Sequence, residues 1–200
     1  MVVQAPALAN GFVVAGGHSR RMGRDKALLP WGGATLLHHA LDRLRRVCTD
    51  VAILCGAEPR YLDAGVPVLT DAARETGPLG GLVSALEHAR HDRVLLLAVD
   101  VPFAPPELLR HLLEFAGDED AVVPIAEERP QPLCAVYRRS CAGPARRRLE
   151  AGDLKMTSFW PDVRVRQVSA AELAPFGDPA LLLRNLNTPR DYQLNRPDRA

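Results

Sequence analysis

The segment VVAGGHSRRMGRDKALLP, residues 13–30, concentrates the groups best suited to chemistry. An apolar run ends in Ala15-Gly16-Gly17, and a polar loop carrying Arg20, Arg21, Arg24 and Lys26 follows. Glycines at a strand end let the backbone approach a ligand and present N–H groups to it. Four cations in seven residues, offset only by Asp25, suit a polyphosphate better than a neutral ligand. Lys26 and Lys155 are the only two lysines among 25 basic residues. A compact ammonium kept in an Arg-biased chain points to a phosphate contact. The loop is not a P-loop, because five residues separate Gly17 from Gly23 and no Lys-Ser/Thr pair follows. It also lacks the dinucleotide GxGxxG spacing.

Further polar groups stand where other apolar runs stop. Asp100 follows the run RVLLLAV (93–99) and precedes Val101-Pro102. A carboxylate there suits a hard cation such as Mg²⁺, which typically takes one or two carboxylates plus phosphate oxygens. A helix cap is the competing role for Asp100, but Pro105 and Pro106 set the next helix start some residues later. Asp71 precedes a second glycine-rich turn, Thr76-Gly77-Pro78-Leu79-Gly80-Gly81, whose N–H groups can meet an anion or a base edge. No Ser/His or Cys/His arrangement offers a covalent nucleophile, and the six histidines show no metal-binding spacing. Cys48, Cys55, Cys134 and Cys141 form no CxxC, so they read as reduced thiols of a cytoplasmic protein.

These groups need a scaffold that brings strand ends together. Apolar patterning predicts strands at 11–15, 51–55, 67–69, 93–99, 121–124, 133–138 and 164–168. It predicts helices at 35–46, 79–90, 105–115 and 145–149, and a closing strand, turn and helix over 181–194. Alternation of this kind means a parallel sheet covered by helices on both faces, and ligands of such sheets sit outside the carboxyl ends of the strands.

Composition agrees. The chain has 200 residues, 47% hydrophobic and 24% charged, with a formal net charge of +1. This excludes a disordered chain and argues against a general nucleic-acid binder, which carries a broad basic footprint. The apolar runs fall far short of the ~20 residues that span a bilayer. The N-terminus has no basic region of the secretory kind. No Gly/Ser linker divides the sequence, so residues 1–200 read as one domain.

The string AGGHSRRMGRDKALL (15–29) resembles the signature loop LAGGxSxRMGxDKxLL of the molybdenum cofactor guanylyltransferases, the MobA-like branch of the nucleotidyltransferases. Asp100-Val101-Pro102 resembles the family's DxP motif, and Asp71 with GPLGG resembles its D…GPL[AG]G segment. Gln131 to Tyr137 resembles its Q/HPxxAxY strand, and Asn185 to Asp191 its NxNTPxD motif. The likeness spans Gly11 to Asp191. It implies a Rossmann-like three-layer α/β fold with a mostly parallel sheet of about seven strands. It implies a nucleotide-binding half (about 1–125) and an acceptor-binding half (about 126–200).

The implied reaction joins GMP from GTP to molybdopterin-bound molybdenum and releases pyrophosphate. Lys26, with Arg20 or Arg21, would neutralise phosphate charge, and Asp100 would hold Mg²⁺. Val14, Ala15, Gly16, Gly17, Asp71, Pro78, Leu79 and Gly80 would line the nucleotide site. The Val14–Gly17 version of the strand end favours GTP over CTP. Asn185 and Asn187, expected on one side of a strand, would orient the pterin through their amides, and Lys155 would lie near the acceptor. The likeness also implies transient contact with proteins that donate or receive the cofactor.

One position departs from the pattern: Cys55 stands where some members carry an Asn that contacts the nucleotide. A buried thiol packs as a small hydrophobe, so any base or ribose contact there falls to the backbone. Two other functions stay open at this stage. One is a nucleotidyltransferase with another base or acceptor, such as a cytidylyl or sugar-phosphate enzyme. The other is a non-catalytic GTP-binding protein that delivers the cofactor.

Overall fold

The computed structural model describes residues 5–16, 25–70 and 76–197. Strand β1 (Ala7–Val14) occupies the middle of the main sheet. A short 3-10 turn (Lys26–Leu28) and a small hairpin, β2 (Pro30–Trp31) with β3 (Ala34–Thr35), lead into helix α1 (Leu36–Arg45). Thr35 caps α1 by accepting from His38 N, which fixes where the helix starts. Strand β4 (Cys48–Leu54) then pairs parallel with β1, and β5 (Val68–Leu69) extends that edge.

Helix α2 (Gly77–His88) carries the chain to the other side of β1, where β6 (Arg93–Ala98) pairs parallel with it. Helix α3 (Pro106–Phe115) leads to β7 (Ala121–Ala126), which turns into the two-residue β8 (Arg129–Pro130). Strand β9 (Cys134–Arg138) slots between β6 and β7, antiparallel to both. Helix α4 (Ala142–Glu150), strand β10 (Val165–Val168), and helices α5 (Ala170–Leu173), α6 (Pro179–Leu182) and α7 (Pro189–Asn195) complete the chain.

The order across the main sheet is β10-β7-β9-β6-β1-β4-β5. These seven strands are mostly parallel, as expected, and β9 is the exception. Side chains alternate between the two faces. Val13, Leu95, Leu97 and Val136 pack under α1 and α3, whereas Phe12, Leu96, Ala135 and Tyr137 pack under α2 and α4. Leu95, Leu96 and Leu97 are all fully buried, which explains the unbroken apolar run of a strand covered on both sides. Each such leucine contributes ~1.5–3 kcal/mol of burial free energy. No helix among the described residues is long and apolar enough to cross a membrane.

The closing segment corrects one expectation. No strand forms over 181–188. Leu181 and Leu182 end α6, which Asp178 caps through Ala180 N with Pro179 in the first turn. Residues 183–187 then run without regular secondary structure into α7. A short leucine run has no period that separates strand from helix, and here the Asp-Pro start decides for helix.

Candidate functional site

The crevice lies where the path of the chain reverses across the sheet. The β1–α1–β4 crossover leaves β1 in one direction, and α2 returns the chain to β6 on the other side. α1 and α2 cover opposite faces, so β1 and β6 end side by side at the switch point where ligands bind in open α/β sheets. Val14 is in register with Ala98. Val99 N donates to Val14 O at 3.1 Å, and Ala15 N donates to Leu54 O at 2.8 Å. The end of β1 is therefore held from both neighbours. Gly16 has a packing reason as well as a chemical one: a Cβ there would stand 3.1 Å from Gly56 N.

Two sequence-predicted residues meet at this edge. Lys26 Nζ donates to Asp100 Oδ2 at 2.8 Å, across 74 sequence positions. Both side chains are largely sheltered, at 14% and 18% exposure. The second carboxylate oxygen of Asp100 makes no hydrogen bond among the described residues. The cap role for Asp100 is excluded, because Pro105 occupies the N-cap of α3. Helix α1 holds the loop that carries Asp100 from beneath. Arg43 donates from Nη1 to Val101 O and to Ala104 O, each at 2.9 Å. His39 Nε2 lies 3.0 Å from Pro102 O. Burial pushes the Arg43 guanidinium down to about 10, and its Nη2 has no hydrogen-bond partner among the described residues.

The NxNTPxD segment comes to the same place. Leu186 N donates to Asp100 O at 2.9 Å, and the Leu186 side chain is fully buried. Asn185 is half-buried and Asn187 exposed on either side of it, in a segment that forms no strand. Thr188 and Asp191 form a capping box at the start of α7. The Thr188 and Asn187 contacts hold the Asp191 carboxyl below its usual range, with a smaller contribution from the nearby Lys26 ammonium. Tyr192 OH donates to Pro30 O at 2.6 Å and fastens α7 to the hairpin beside Lys26.

The glycine-rich turn becomes the first turn of α2. Pro78 is exposed in it, while Leu79 points into the core and Gly80 is buried. Leu79 can therefore meet a ligand only through its backbone. Gly80 is required locally, since a Cβ there would fall 2.0 Å from Thr76 Oγ1. Cys55 is buried, with its thiol donating to Glu58 O and Leu69 O. Lys155 is exposed in the turn after α4 and makes no side-chain bond among the described residues. Gly17, Arg20, Arg21 and Asp71 lie outside the described residues.

Asp25 of the signature loop and two residues that sequence patterning overlooks, Arg60 and Tyr61, tie the site together. Asp25 caps the 3-10 turn through Ala27 N and also accepts from Arg60 and Tyr61. Neither Arg60 nor Tyr61 belongs to a periodic segment or a motif, so no local signal marks them.

With this geometry in place, the comparison with known proteins is specific. The family model described as MobA-like NTP transferase domain matches residues 11–164. The chain belongs to the MobA-like NTP transferase family. It is 38% identical to a probable molybdenum cofactor guanylyltransferase of Pelotomaculum thermopropionicum, over 92% of this chain and 89% of that one. It is 34% identical to a protein with the same description from Chloroflexus aggregans, over 94% and 93% of the two chains. The molybdopterin-guanine dinucleotide biosynthesis protein A of Archaeoglobus fulgidus superposes with a TM-score of 0.77 at 26% identity, over 92% and 95% of the chains. A 2-C-methyl-D-erythritol 4-phosphate cytidylyltransferase of Thermus thermophilus shares the fold, with a TM-score of 0.64 at 20% identity. In the MobA-like family match, the segment 11–164 contains both Lys26 and Asp100.

Proposed function

We propose that this chain is a molybdenum cofactor guanylyltransferase. It transfers GMP from GTP to molybdopterin-bound molybdenum and yields the guanine dinucleotide cofactor and pyrophosphate. The observation that carries the reading is the Lys26–Asp100 pair at the adjoining ends of β1 and β6. The names of relatives similar over nearly the whole chain support the choice of substrates.

In the proposed step, a terminal phosphate oxygen of the pterin substrate attacks the α-phosphorus of GTP in line. The bond from that phosphorus to the bridging oxygen breaks, and its electron pair leaves with pyrophosphate. No covalent enzyme intermediate is needed, so the protein contributes positioning and charge stabilisation. Lys26, joined by Arg20 or Arg21, meets the triphosphate and the departing pyrophosphate. Val14 to Gly17 and the start of α2 (Pro78 to Gly80), with Asp71, hold the nucleoside. Asn185 and Asn187 orient the pterin, and Lys155 contacts the acceptor. The division of labour follows the two halves of the chain, about 1–125 for nucleotide and about 126–200 for acceptor.

Asp100 fits a metal that arrives with phosphates. It has a carboxylate oxygen to spare, and among the described residues no cluster of three His, Cys, Asp or Glu could cage an ion alone. Asp100 would hold Mg²⁺, which neutralises phosphate charge when bound. A cytoplasmic location and contact with proteins that donate or receive the cofactor belong to the same proposal.

The test is pyrophosphate release with GTP, CTP and ATP in the presence of molybdopterin and Mg²⁺. GTP should be used at least about tenfold better than the others, because base-edge hydrogen bonds leave groups unpaired with the wrong base. Equal use of the three nucleotides rejects guanylyl transfer. Repeated turnover, against retention of one nucleotide per chain, separates the enzyme from a delivery protein.

A further inference from the structure

The described residues Ala15, just past the end of β1, and Asp25, just before Lys26, are tied to one side chain. The Arg60 guanidinium holds both positions. Arg60 Nη2 donates to Ala15 O at 3.2 Å and to Cys55 O at 3.0 Å. Arg60 Nη1 donates to Asp25 Oδ2 at 3.3 Å. Tyr61 OH donates to the same oxygen at 2.7 Å. The other Asp25 oxygen accepts from Ala27 N at 3.0 Å. Both oxygens of Asp25 are thus engaged, and the residue that follows is the one whose ammonium reaches Asp100.

The arrangement carries a local cost. Tyr61 has φ of +63°, a left-handed conformation that bulky side chains rarely adopt. Such strain persists only where surrounding contacts over-determine it. Burial and the Asp25 contact also push the Tyr61 phenol well above its ordinary range, so it stays a donor. The planar fork of arginine is what lets one side chain serve three acceptors on three segments, and a lysine ammonium does not reproduce that geometry.

We infer that Arg60, with Tyr61 acting through Asp25, is a positioning latch that aims the Lys26 ammonium at the nucleotide phosphates beside Asp100. The inference rests on the proposed role of Lys26 and adds residues to it. Arg60 need not touch substrate. It sets the distance between the end of β1, the end of β4 and the backbone before Lys26.

Two measurements on the full chain test this. The first is competitive amine acylation read by peptide mass spectrometry, with exposed Lys155 as the internal reference. In the wild type Lys26 should acylate more slowly than Lys155. Arg60→Met should raise the Lys26-to-Lys155 ratio several-fold, and Arg60→Lys should not restore it. The second is a kinetic cycle of Arg60→Met and Lys26→Ala. Arg60→Met should lower kcat by roughly 10- to 100-fold, the scale of misplacing a catalytic group by about 1 Å. In the Lys26→Ala background the same change should cost less than about threefold, because residues that act as a unit are not additive.

A purely structural brace would cost the same factor in both backgrounds. Equal costs, or an acylation ratio that does not move, overturns the latch. If Arg60→Met does not fold, Tyr61→Phe removes a single bond of the same device and takes its place in both experiments. Absence of wild-type GTP turnover would reject the proposed function, and acylation would still decide the latch.

Discussion

Replacing Asp100 with Asn removes one negative charge and keeps the shape of the side chain. Its structural cost is bounded by the contact it makes. Lys26 Nζ lies 2.8 Å from Asp100 Oδ2, and an amide oxygen can still accept that bond. The Lys26 ammonium keeps its charge, so the bond stays charge-assisted, and what folding loses is the ion-pair attraction, about 1 kcal/mol. In a chain of this size that is a fall of ~2–4 °C in Tm. The chemical cost is larger if Asp100 holds Mg²⁺ against the phosphates. Losing one such electrostatic element slows the reaction by ~10²-fold, or about 2.7 kcal/mol of barrier. Thermal melts and steady-state pyrophosphate release at saturating GTP, over a Mg²⁺ titration, measure the two separately. A variant that melts a few degrees early yet keeps kcat within about threefold of wild type would refute the reasoning. Asp100 would then be only the counter-ion of Lys26.

Other expectations are equally direct. Lys26→Ala should lose a contact of ~1.5–3 kcal/mol, seen mainly in kcat, and Lys26→Arg should also be impaired; full activity in the arginine variant would reduce Lys26 to a generic positive charge. Leu186→Ala should destabilise the fold by ~2–5 kcal/mol and raise the KM for molybdopterin, because Leu186 is fully buried between Asn185 and Asn187; an unchanged melt would contradict the packing. Lys155→Ala should raise the KM for molybdopterin and leave GTP binding alone, whereas no change in either assigns Lys155 to the solvated surface. Burial pushes the thiols of Cys48, Cys134 and Cys141 up to about 12. A disulfide reagent at pH 8 should therefore find them unreactive in the native protein and titrate all four cysteines in guanidinium; a fast native reaction at these three sites would show that the core opens.

Much of the scaffold is legible from local pattern. The helix expected at 35–46 forms over Leu36–Arg45 with Thr35 as its cap, and the strand expected at 93–99 forms over Arg93–Ala98. The helix follows from a period of 3.6 and the strand from a short unbroken apolar run, and a few neighbouring residues encode each. Arg43 was also within reach of that method. It interrupts the apolar stripe Leu36, Leu37, Ala40, Leu41, Leu44 at a position that faces inward, and it is buried there. A cation on a buried stripe signals a hydrogen-bonding task, which here is holding the loop after Asp100. Arg60 and Tyr61 offered no such cue, because their partners are the Asp25 carboxylate and two backbone carbonyls from the residues that follow β1 and β4.

Read alone, the residues determine the alternation of strands and helices, the glycine and cation chemistry at the end of β1, and the carboxylate after β6. They also carry the motifs by which the family is known. Tertiary structure decided which of these meet. Lys26 and Asp100 are 74 positions apart, and β9 enters between β6 and β7 in the opposite direction. It also laid Leu186 against the backbone of Asp100, with an asparagine on each side. The physical reason is that periodicity records which face of a segment is buried and not which segment buries it. A doubly buried strand reads the same whether its neighbour runs parallel or antiparallel, and only the packed sheet selects the order that brings distant strand ends to one edge.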